Sequence, residues 1–288
     1  MENKTCFITG ANSGIGKASA IQLAGKGFRV LIGSRSKERG EKAVKEIKEN
    51  SKSDLVELII IDMSSKSSIN DASKLIHKNY HKLDVLIHNA ADFDISRKIP
   101  VKSDDGIETI WATNHLGPVL LTNLLFDLLH KSEQGRVITI SSQGLMLHPR
   151  LTIDLKDPEF EMKPFSVPKA YYQSKLAQVM YTYWLAEQLK DTKITANCIR
   201  VTNVKVDINR YPNISKFMRF MYSIKSKFSI SADEMAKTYT FLATSDTLTK
   251  TNGKYFNEKN KIVDSGAYSK DKKNIDALMR ITMKYLEQ

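Results

Sequence analysis

The sequence predicts an α/β protein with one doubly wound parallel sheet of about seven strands. Short runs rich in Val and Ile alternate with amphipathic stretches along the chain. This alternation is typical of βαβ units whose strands are buried on both faces. Because the crossovers of such units are right-handed, helices cover both sides of the sheet. The chain has 288 residues and neither an internal repeat nor a low-complexity linker, which favours a single domain.

The predicted elements follow one another in a regular order. The strands are CFIT, RVLIG, VELIIID, DVLIHNA, RVITISS and ITANCIRV, separated by helical patterns such as KERGEKAVKEIKEN. Ligands of open α/β sheets bind beyond the carboxyl ends of the strands. Within the single domain 1–288, we therefore expect residues 1–140 mainly to bind a cofactor. Residues 141–288 are expected to supply the catalytic and substrate-binding elements.

Two segments interrupt this rhythm, and both emerge beyond strand ends. Residues 143–168 are rich in proline, and residues 207–231 combine basic with aromatic and methionine side chains. Both are predicted substrate walls, and 207–231 is predicted to form a lid of C-terminal helices. Its apolar side chains favour an apolar substrate, although they could equally pack the lid onto the body. Residues 216–228 also leave open a contact with a membrane surface.

Composition excludes several classes of protein. The formal net charge is +12, but lysines and glutamates mix along the helical patterns. Such mixing indicates solvated helix faces, and no nucleic acid is expected as a partner. No apolar run approaches the ~20 residues of a membrane helix, and the start MENKTCFITG has no signal-peptide pattern, so a cytoplasmic protein is expected. Cys6 and Cys198 have no zinc-site spacing, and no metal is expected.

A glycine-rich turn joins the first strand to the first helix. In TGANSGIG, Gly10, Gly14 and Gly16 have the spacing G-x-x-x-G-x-G. Glycines allow a tight turn and a close approach to a pyrophosphate, which the positive end of the helix attracts. This strand–turn–helix context predicts a Rossmann-type dinucleotide site. The residues between the glycines are expected to bind the cofactor as well: Asn12, Ser13 and Ile15.

The end of the second strand selects the nucleotide. Sites for NAD carry an acid there, which binds the ribose hydroxyls. The stretch RVLIGSRSKERG instead has Ser34 at that place, followed by Arg35, with Lys37 and Arg39 nearby. Because a 2′-phosphate needs positive charge, NADP(H) is predicted over NAD(H). Further candidate cofactor residues end the third and fourth strands: Asp62, Met63, Asn89 and Ala90.

Two tyrosines precede a lysine in PKAYYQSKLAQ. On a helix, Tyr171 and Tyr172 lie four and three residues before Lys175, so either shares a face with it. An ammonium lowers a phenol's pKa from about 10 and suits it to donate a proton when a nicotinamide reduces a carbonyl. Ser141 and Ser142 end a strand and offer hydroxyls for the substrate oxygen. Geometry alone leaves the choice of tyrosine open.

Together, these motifs resemble the short-chain dehydrogenase/reductase family. TGANSGIG, HNAA, TNHLG, ISS and Y-x-x-x-K occur in the family's order across nearly the whole chain. SRSKERGEKAV, NHLGPVLLTNLL, AYYQSKLAQV and the late GKYF resemble its retinol-dehydrogenase-like branch. The resemblance implies hydride transfer between a nicotinamide cofactor and an alcohol or carbonyl. Together with the predictions from the second strand and the lid, this gives an NADP(H)-dependent oxidoreductase for an apolar aldehyde or ketone.

The resemblance also implies roles for individual residues. Tyr171, four residues before the lysine, is similar to the family's general acid in reduction and general base in oxidation. Lys175 would lower its pKa and hold the nicotinamide ribose, and Ser142 would contact the substrate oxygen. Asn114 resembles the asparagine that positions this lysine through a water. Val204 would offer backbone groups to the nicotinamide.

Some positions depart from the family pattern. HNAA replaces the usual NNAG, so His88 is expected to be a wall residue and not a catalyst. Ala91 is expected to crowd a loop that lies against the adenosine and so to weaken cofactor binding. A Pro-Gly after the sixth strand is missing, and Val206 stands where a threonine is usual. These departures leave open a nucleotide-binding relative without turnover. The glycine spacing and the length disfavour a sugar-nucleotide epimerase. A homo-oligomer is left open too.

Overall fold

The computed structural model describes residues 3–205 and 229–287. Within them, seven strands form one sheet in the order β3-β2-β1-β4-β5-β6-β7, and every neighbouring pair is parallel. The strands are β1 (Thr5–Ile8), β2 (Arg29–Ser34), β3 (Val56–Ile60), β4 (Val85–His88), β5 (Arg136–Ser142), β6 (Thr195–Val201) and β7 (Lys254–Phe256). The predicted doubly wound sheet in a single domain is confirmed.

Helices cover both faces of this sheet. Before β5 they are α1 (Gly14–Gly25), α2 (Lys37–Ser51), α3 (Lys66–Asn79), α4 (Thr109–Trp111), a π-helix (Ala112–Leu116), α5 (Gly117–Leu124) and α6 (Phe126–His130). After β5 they are a 3₁₀ helix (Gln143–Leu147), α7 (Val167–Gln188), α8 (Ala232–Thr244), a second 3₁₀ helix (Asp246–Leu248), α9 (Ala267–Lys270) and α10 (Lys272–Glu287). The sheet and α1, α2 and α8 bury one core; α3, α5 and α7 bury the other.

Serine residues begin several of these helices. Ser36 accepts the N–H of Arg39 at the start of α2, and Ser231 accepts the N–H of Glu234 at the start of α8. Such caps satisfy backbone donors that have no partner inside the helix. The starts of α2 and α8 are therefore capped by the side chains of these serines.

The crevice for a ligand lies where the chain changes direction across the sheet. β1 and β4 are neighbours in the sheet. β2 and β3 lie on the β1 side of this pair, and β5, β6 and β7 lie on the β4 side. The turn after β1, the residues after β4 and the end of β5 therefore meet at one edge. The predicted lid, 207–231, and the predicted membrane-contact stretch, 216–228, lie outside the described residues except for 229–231. Among the described helices, none has the length and apolar character needed to cross a membrane.

Candidate active site

The glycine turn after β1 has the backbone that its sequence predicts. Gly10 has φ +65° and Gly14 has φ +58°, conformations that side-chain-bearing residues rarely adopt. A Cβ on Gly10 would lie 2.8 Å from Cα of Ala90, and one on Gly16 would overlap the Asn89 amide. The turn is therefore packed directly against the end of β4, with α1 starting from it.

The start of α1 differs from the capped helices. Ser13 precedes the helix with an extended backbone, and in the described structure its side chain makes no capping hydrogen bond. The first N–H groups of α1 therefore keep the positive character that attracts a phosphate. Asn12 and Ile15 are half-buried beside it, and Ile15 packs against the core.

Asn89 holds the turn in place from the end of β4. Its amide N–H groups donate to the carbonyls of Thr9 at 2.9 Å and Gly10 at 3.1 Å, and its Oδ1 accepts from the Tyr239 hydroxyl at 3.3 Å. The backbone N–H of Ala90 donates to Thr9 Oγ1 at 3.1 Å. Contacts of Asn89 and Ala90 in this structure thus shape the turn that would bind the pyrophosphate.

The end of β2 presents a cation and no carboxylate. Ser34 is buried, and its hydroxyl donates to the Ser36 carbonyl at 2.9 Å. The Arg35 side chain is 71% exposed and lies 3.6 Å from the Asp62 carboxylate. Asp62 is held in turn by the N–H and hydroxyl of Ser64, at 2.9 and 2.6 Å. An exposed pair of this kind is worth about 0–1 kcal/mol, so a phosphate could readily replace the carboxylate.

Met63 follows Asp62 but turns away from the crevice. Its side chain is buried in the core between the sheet and α3, and its carbonyl packs against Gly117. Only the backbone of Met63 could therefore border an adenine, whereas Asp62 keeps a partly exposed carboxylate at the edge.

Lys175 lies buried beneath Tyr171 on α7. Its side chain is 2% exposed, and its Nζ donates to the Ile140 carbonyl at 3.0 Å. The same nitrogen lies 5.6 Å from the centroid of the Tyr171 ring. Burial lowers the pKa of Lys175 from 10.5 to about 8, so the lysine is mostly an ammonium at neutral pH.

Tyr171 and Tyr172, the adjacent tyrosines near the start of α7, point to different surroundings. The Tyr171 ring packs on Phe93, with centroids 4.3 Å apart. The Tyr172 ring packs on Gly144 so closely that a Cβ there would overlap it, and it lies 4.8 Å from the His148 ring. Tyr172 therefore lines the loop after β5, while Tyr171 is the tyrosine stacked over the buried lysine.

The serine pair at the end of β5 divides its contacts. The Ser141 hydroxyl donates to the carbonyl of Lys175 at 3.0 Å and so fixes α7 to the strand. Ser142 Oγ accepts the N–H of Gly144 at 3.1 Å. Accepting this bond uses an oxygen lone pair of Ser142, so its hydrogen can be directed at a substrate.

Asn114 lies in the π-helix, a distortion that often marks functional sites. Its amide is fully engaged: Oδ1 accepts the N–H of Asp92 at 2.7 Å, while Nδ2 donates to the Asp92 carbonyl at 3.1 Å and to Ser174 Oγ at 3.0 Å. Ser174 Oγ donates onward to the carbonyl of Tyr171 at 2.7 Å. Asp92 and Ser174 were not predicted as site residues; their only sequence signal is adjacency to HNAA and to Lys175.

The departures from the family pattern fall in different places. His88 is buried in β4 with its Nε2 2.7 Å from Thr122 Oγ1, and burial lowers its pKa to about 3, so its prediction as a wall residue is wrong. Ala91 is exposed, and the residue that packs on the glycine turn is Ala90. Val204 forms a bridge with Ile230, through bonds made by the flanking residues. Val206 lies outside the described residues.

The fold and this site define a class: a Rossmann-type protein whose open glycine turn and tyrosine–lysine pair share one edge of a parallel sheet. Within residues 3–205 and 229–287, no His, Cys, Asp and Glu side chains group as metal ligands would. Residues 4–151 match the model of the short chain dehydrogenase family.

Known proteins place the chain within that family. Retinol dehydrogenase 13 of Mus musculus is 33% identical over 256 residues, which cover 88% of this chain and 75% of that protein. Retinol dehydrogenase 12 of Mus musculus is 33% identical over 284 residues, covering 98% and 86%. A solved structure of an uncharacterized Mycobacterium paratuberculosis protein superimposes with a TM-score of 0.75 at 25% identity, covering 99% of this chain and 94% of that one. The chain belongs to the short-chain dehydrogenases, nicotinamide-dependent oxidoreductases, in their retinol-dehydrogenase-like branch.

Proposed function

We propose that the protein is an NADP(H)-dependent oxidoreductase that interconverts an apolar alcohol and its aldehyde or ketone. The observation that carries this proposal is the buried ammonium of Lys175 beneath the ring of Tyr171, 5.6 Å from its centroid. A cation in a low-dielectric position stabilises a phenolate far more than an exposed one does. That property suits a tyrosine that gives up and regains a proton in each turnover.

The residues of the chain then divide the proton chemistry among them. A nicotinamide bound in this crevice would supply or accept the hydride. In reduction, the Tyr171 hydroxyl donates a proton to the substrate oxygen, and in oxidation the phenolate removes one. Lys175 stabilises that phenolate, and Ser142 donates a hydrogen bond that orients the substrate oxygen. Asn114 and Ser174 hold the backbone of Tyr171 in register with the lysine.

The preference for NADP(H) rests on the end of β2. Ser34 brings no carboxylate that would repel a 2′-phosphate, and the exposed guanidinium of Arg35 is free to leave its weak pair with Asp62. A guanidinium binds phosphate oxygens through paired N–H groups. The glycine turn and the uncapped start of α1 suit the pyrophosphate of the same cofactor.

An apolar substrate is supported by the relatives and by the loops at the crevice. The relatives are named for retinol, an apolar alcohol. Large apolar side chains are exposed on the loops that follow β4 and β5: Ile99, Met146, Leu147 and Met162. Side chains of this kind suit a lipophilic ligand better than a sugar or a charged metabolite.

Equilibrium binding of NADPH and NADH, followed by turnover assays with all-trans-retinal and medium-chain aldehydes, tests this function. We expect tight NADPH binding, weak NADH binding and oxidation of NADPH by at least one apolar carbonyl. NADPH binding without turnover on any carbonyl or alcohol would favour a nucleotide-binding relative without catalysis. Failure to bind either nucleotide would reject the cofactor assignment. A cytoplasmic location stays a prediction, for cell fractionation to test.

A further inference from the structure

Residues 92–97, termed the β4 loop, contact two residues of the proposed catalytic set. The backbone of Asp92 makes a pair of hydrogen bonds with the Asn114 amide, at 2.7 and 3.1 Å. The next residue, Phe93, packs its ring 4.3 Å from that of Tyr171. The position of this loop therefore affects both the amide network behind the tyrosine and the surface against which its ring rests.

Arg97, the last residue of this loop, links the loop to α4. Arg97 donates to both carboxylate oxygens of Asp92, from Nη1 at 2.6 Å and from Nη2 at 2.9 Å. Its Nη1 also donates to Thr109 Oγ1 at 2.9 Å, and Thr109 is the first residue of α4. The side chains of Arg97 and Asp92 are only 22% and 18% exposed, so solvent screens their ion pair weakly.

The Arg97 link joins the two elements whose separation sets the hydrogen bonds between Asp92 and Asn114. Asp92 belongs to the β4 loop, while Asn114 belongs to the helical segment that Thr109 begins. The double hydrogen bond between Asp92 and Asn114 needs these two elements at a set separation. The guanidinium holds one element through the Asp92 carboxylate and the other through the Thr109 hydroxyl. A planar fork can do so from one side chain, whereas an ammonium donates from a single atom.

We propose that Arg97 is a positioning residue of this site, acting through Asp92 on Asn114 and Tyr171; the proposal rests on the function proposed above. The path runs from Arg97 to Asp92, from Asp92 to the Asn114 amide, and through Ser174 to the backbone of Tyr171. Releasing Arg97 frees the β4 loop, whereas the glycine turn is held by Asn89 and Ala90 before that loop. It should therefore lower the rate of the chemical step and spare cofactor binding, because small displacements of catalytic groups reduce rates steeply.

Three variants test this role: Arg97→Ala, Arg97→Lys and the control Arg29→Ala. Arg29 also forms an arginine–carboxylate pair, with Glu57 at 2.6 Å, but at the amino end of β2, away from the crevice. We expect Arg97→Ala to lower kcat by about ten- to a hundredfold without changing the Kd for NADPH. Arg97→Lys should fall between it and wild type, and Arg29→Ala should match wild type. Added guanidinium ion, at concentrations far below denaturing ones, should partly restore kcat of Arg97→Ala and leave the control unchanged.

A spectroscopic measurement tests the role without any turnover. In protein labelled with ¹³Cζ-tyrosine, the Tyr171 resonance is identified by its loss in Tyr171→Phe. We expect Arg97→Ala to move this resonance, and Arg29→Ala to leave it in place. A chain that binds NADPH but turns over no substrate would reject the proposed function, while a moved Tyr171 resonance would still support the positioning role.

Two results would overturn the proposal. The first is an Arg97→Ala protein with wild-type kcat and an unmoved Tyr171 resonance. The second is a loss of kcat accompanied by an equal loss of NADPH affinity and no rescue by guanidinium, which would indicate general unfolding. Should Arg97→Ala fail to fold, the same two readouts on Arg97→Lys decide between these outcomes.

Discussion

Two cations of the proposed site differ in their surroundings: Lys175 beside Tyr171, at what we call the chemical end, and Arg35 after β2, at what we call the phosphate end. Lys175 is 2% exposed and donates to a backbone carbonyl, whereas the Arg35 side chain is 71% exposed and pairs loosely with Asp62. A buried cation acts strongly on a neighbouring phenol, but its desolvation destabilises the fold. An exposed cation destabilises little and is screened by salt. The contrast indicates that the chemical end is built at the expense of stability and the phosphate end is not.

The largest expected effect concerns the tyrosine above the buried cation. Tyr171→Phe should lower kcat by about a hundred- to ten-thousandfold, because the general acid is lost, and should spare NADPH affinity. The matched change Tyr172→Phe should be mild, since that ring packs on Gly144 and His148. Steady-state kinetics and fluorescence titration of both variants provide the comparison, and a reversed order of the two would move the catalytic role to Tyr172.

Removing the buried charge should stabilise the fold. Burial lowers the pKa of Lys175 from 10.5 to about 8, a difference equivalent to about 3 kcal/mol of destabilisation at neutral pH. In Lys175→Met, loss of the hydrogen bond to Ile140 offsets about 1 kcal/mol of this. We expect the free energy of unfolding to rise by about 2 kcal/mol near neutral pH while turnover falls.

The sign of the pH dependence follows from the same group. As pH falls from 10.5 towards 8, the unfolded chain protonates Lys175 before the folded chain does, so wild-type stability is lost across this window. Urea unfolding of wild type and Lys175→Met on both sides of the window should show the difference appearing only at the lower pH. Lys74→Met, which removes an exposed lysine, is the control. A less stable Lys175→Met at neutral pH would contradict the account.

At the phosphate end, Arg35→Ala should change nucleotide choice and little else. A charge-assisted phosphate bond is worth roughly 1.5–3 kcal/mol, so NADPH affinity should fall about ten- to a hundredfold while NADH affinity stays unchanged. Raising the salt concentration should reduce the NADPH affinity of wild type more than that of the variant. Isothermal titration with both nucleotides measures this, with Arg29→Ala, at the opposite end of β2, as a control. Equal losses for both nucleotides would remove the 2′-phosphate role.

The smallest expected effect concerns two glycines with positive φ. Gly14 (φ +58°) and Gly27 (φ +86°) both have open space around an added Cβ, so alanine at either should lower the free energy of unfolding by about 1 kcal/mol through backbone strain alone. Only Gly14 lies in the turn at the start of α1, so Gly14→Ala alone should also weaken NADPH binding. Denaturant unfolding and nucleotide titration of the pair separate the two effects, and equal nucleotide affinities would argue against the turn as the phosphate site.

The sheet and its glycine turn were predictable because their signals are local. Strands buried on both faces show as continuous apolar runs, as in VLIH of β4, and Gly10 and Gly14 stand where the backbone needs positive φ. The contacts behind Tyr171 were not predictable, since Asn114 meets Asp92 and Ser174 across 22 and 60 residues of chain. Hydrogen bonds between such distant residues leave no periodic pattern.

His88 was predicted wrongly for a related reason. Its place in the HNAA motif suggested a residue at the edge of the crevice. In the fold, His88 is the last residue of β4, and its side chain points toward α5. Its Nε2 forms a hydrogen bond with Thr122 Oγ1 of that helix. In a strand covered on both faces, either direction is buried, and the sequence of one strand does not tell which helix supplies a polar partner.

The strand order has a consequence for how the chain assembles during synthesis. In the order β3-β2-β1-β4-β5-β6-β7, each strand pairs at an outer edge of the sheet formed by the strands before it, and none is inserted between two others. A nascent chain can therefore add strands as they leave the ribosome, with β1 as the founding strand. The glycine turn and its support from β4 are complete before α7, which carries the proposed catalytic tyrosine and lysine, is translated. If the proposed function holds, the growing chain can bind a nucleotide before the residues of the proposed proton chemistry on α7 are made.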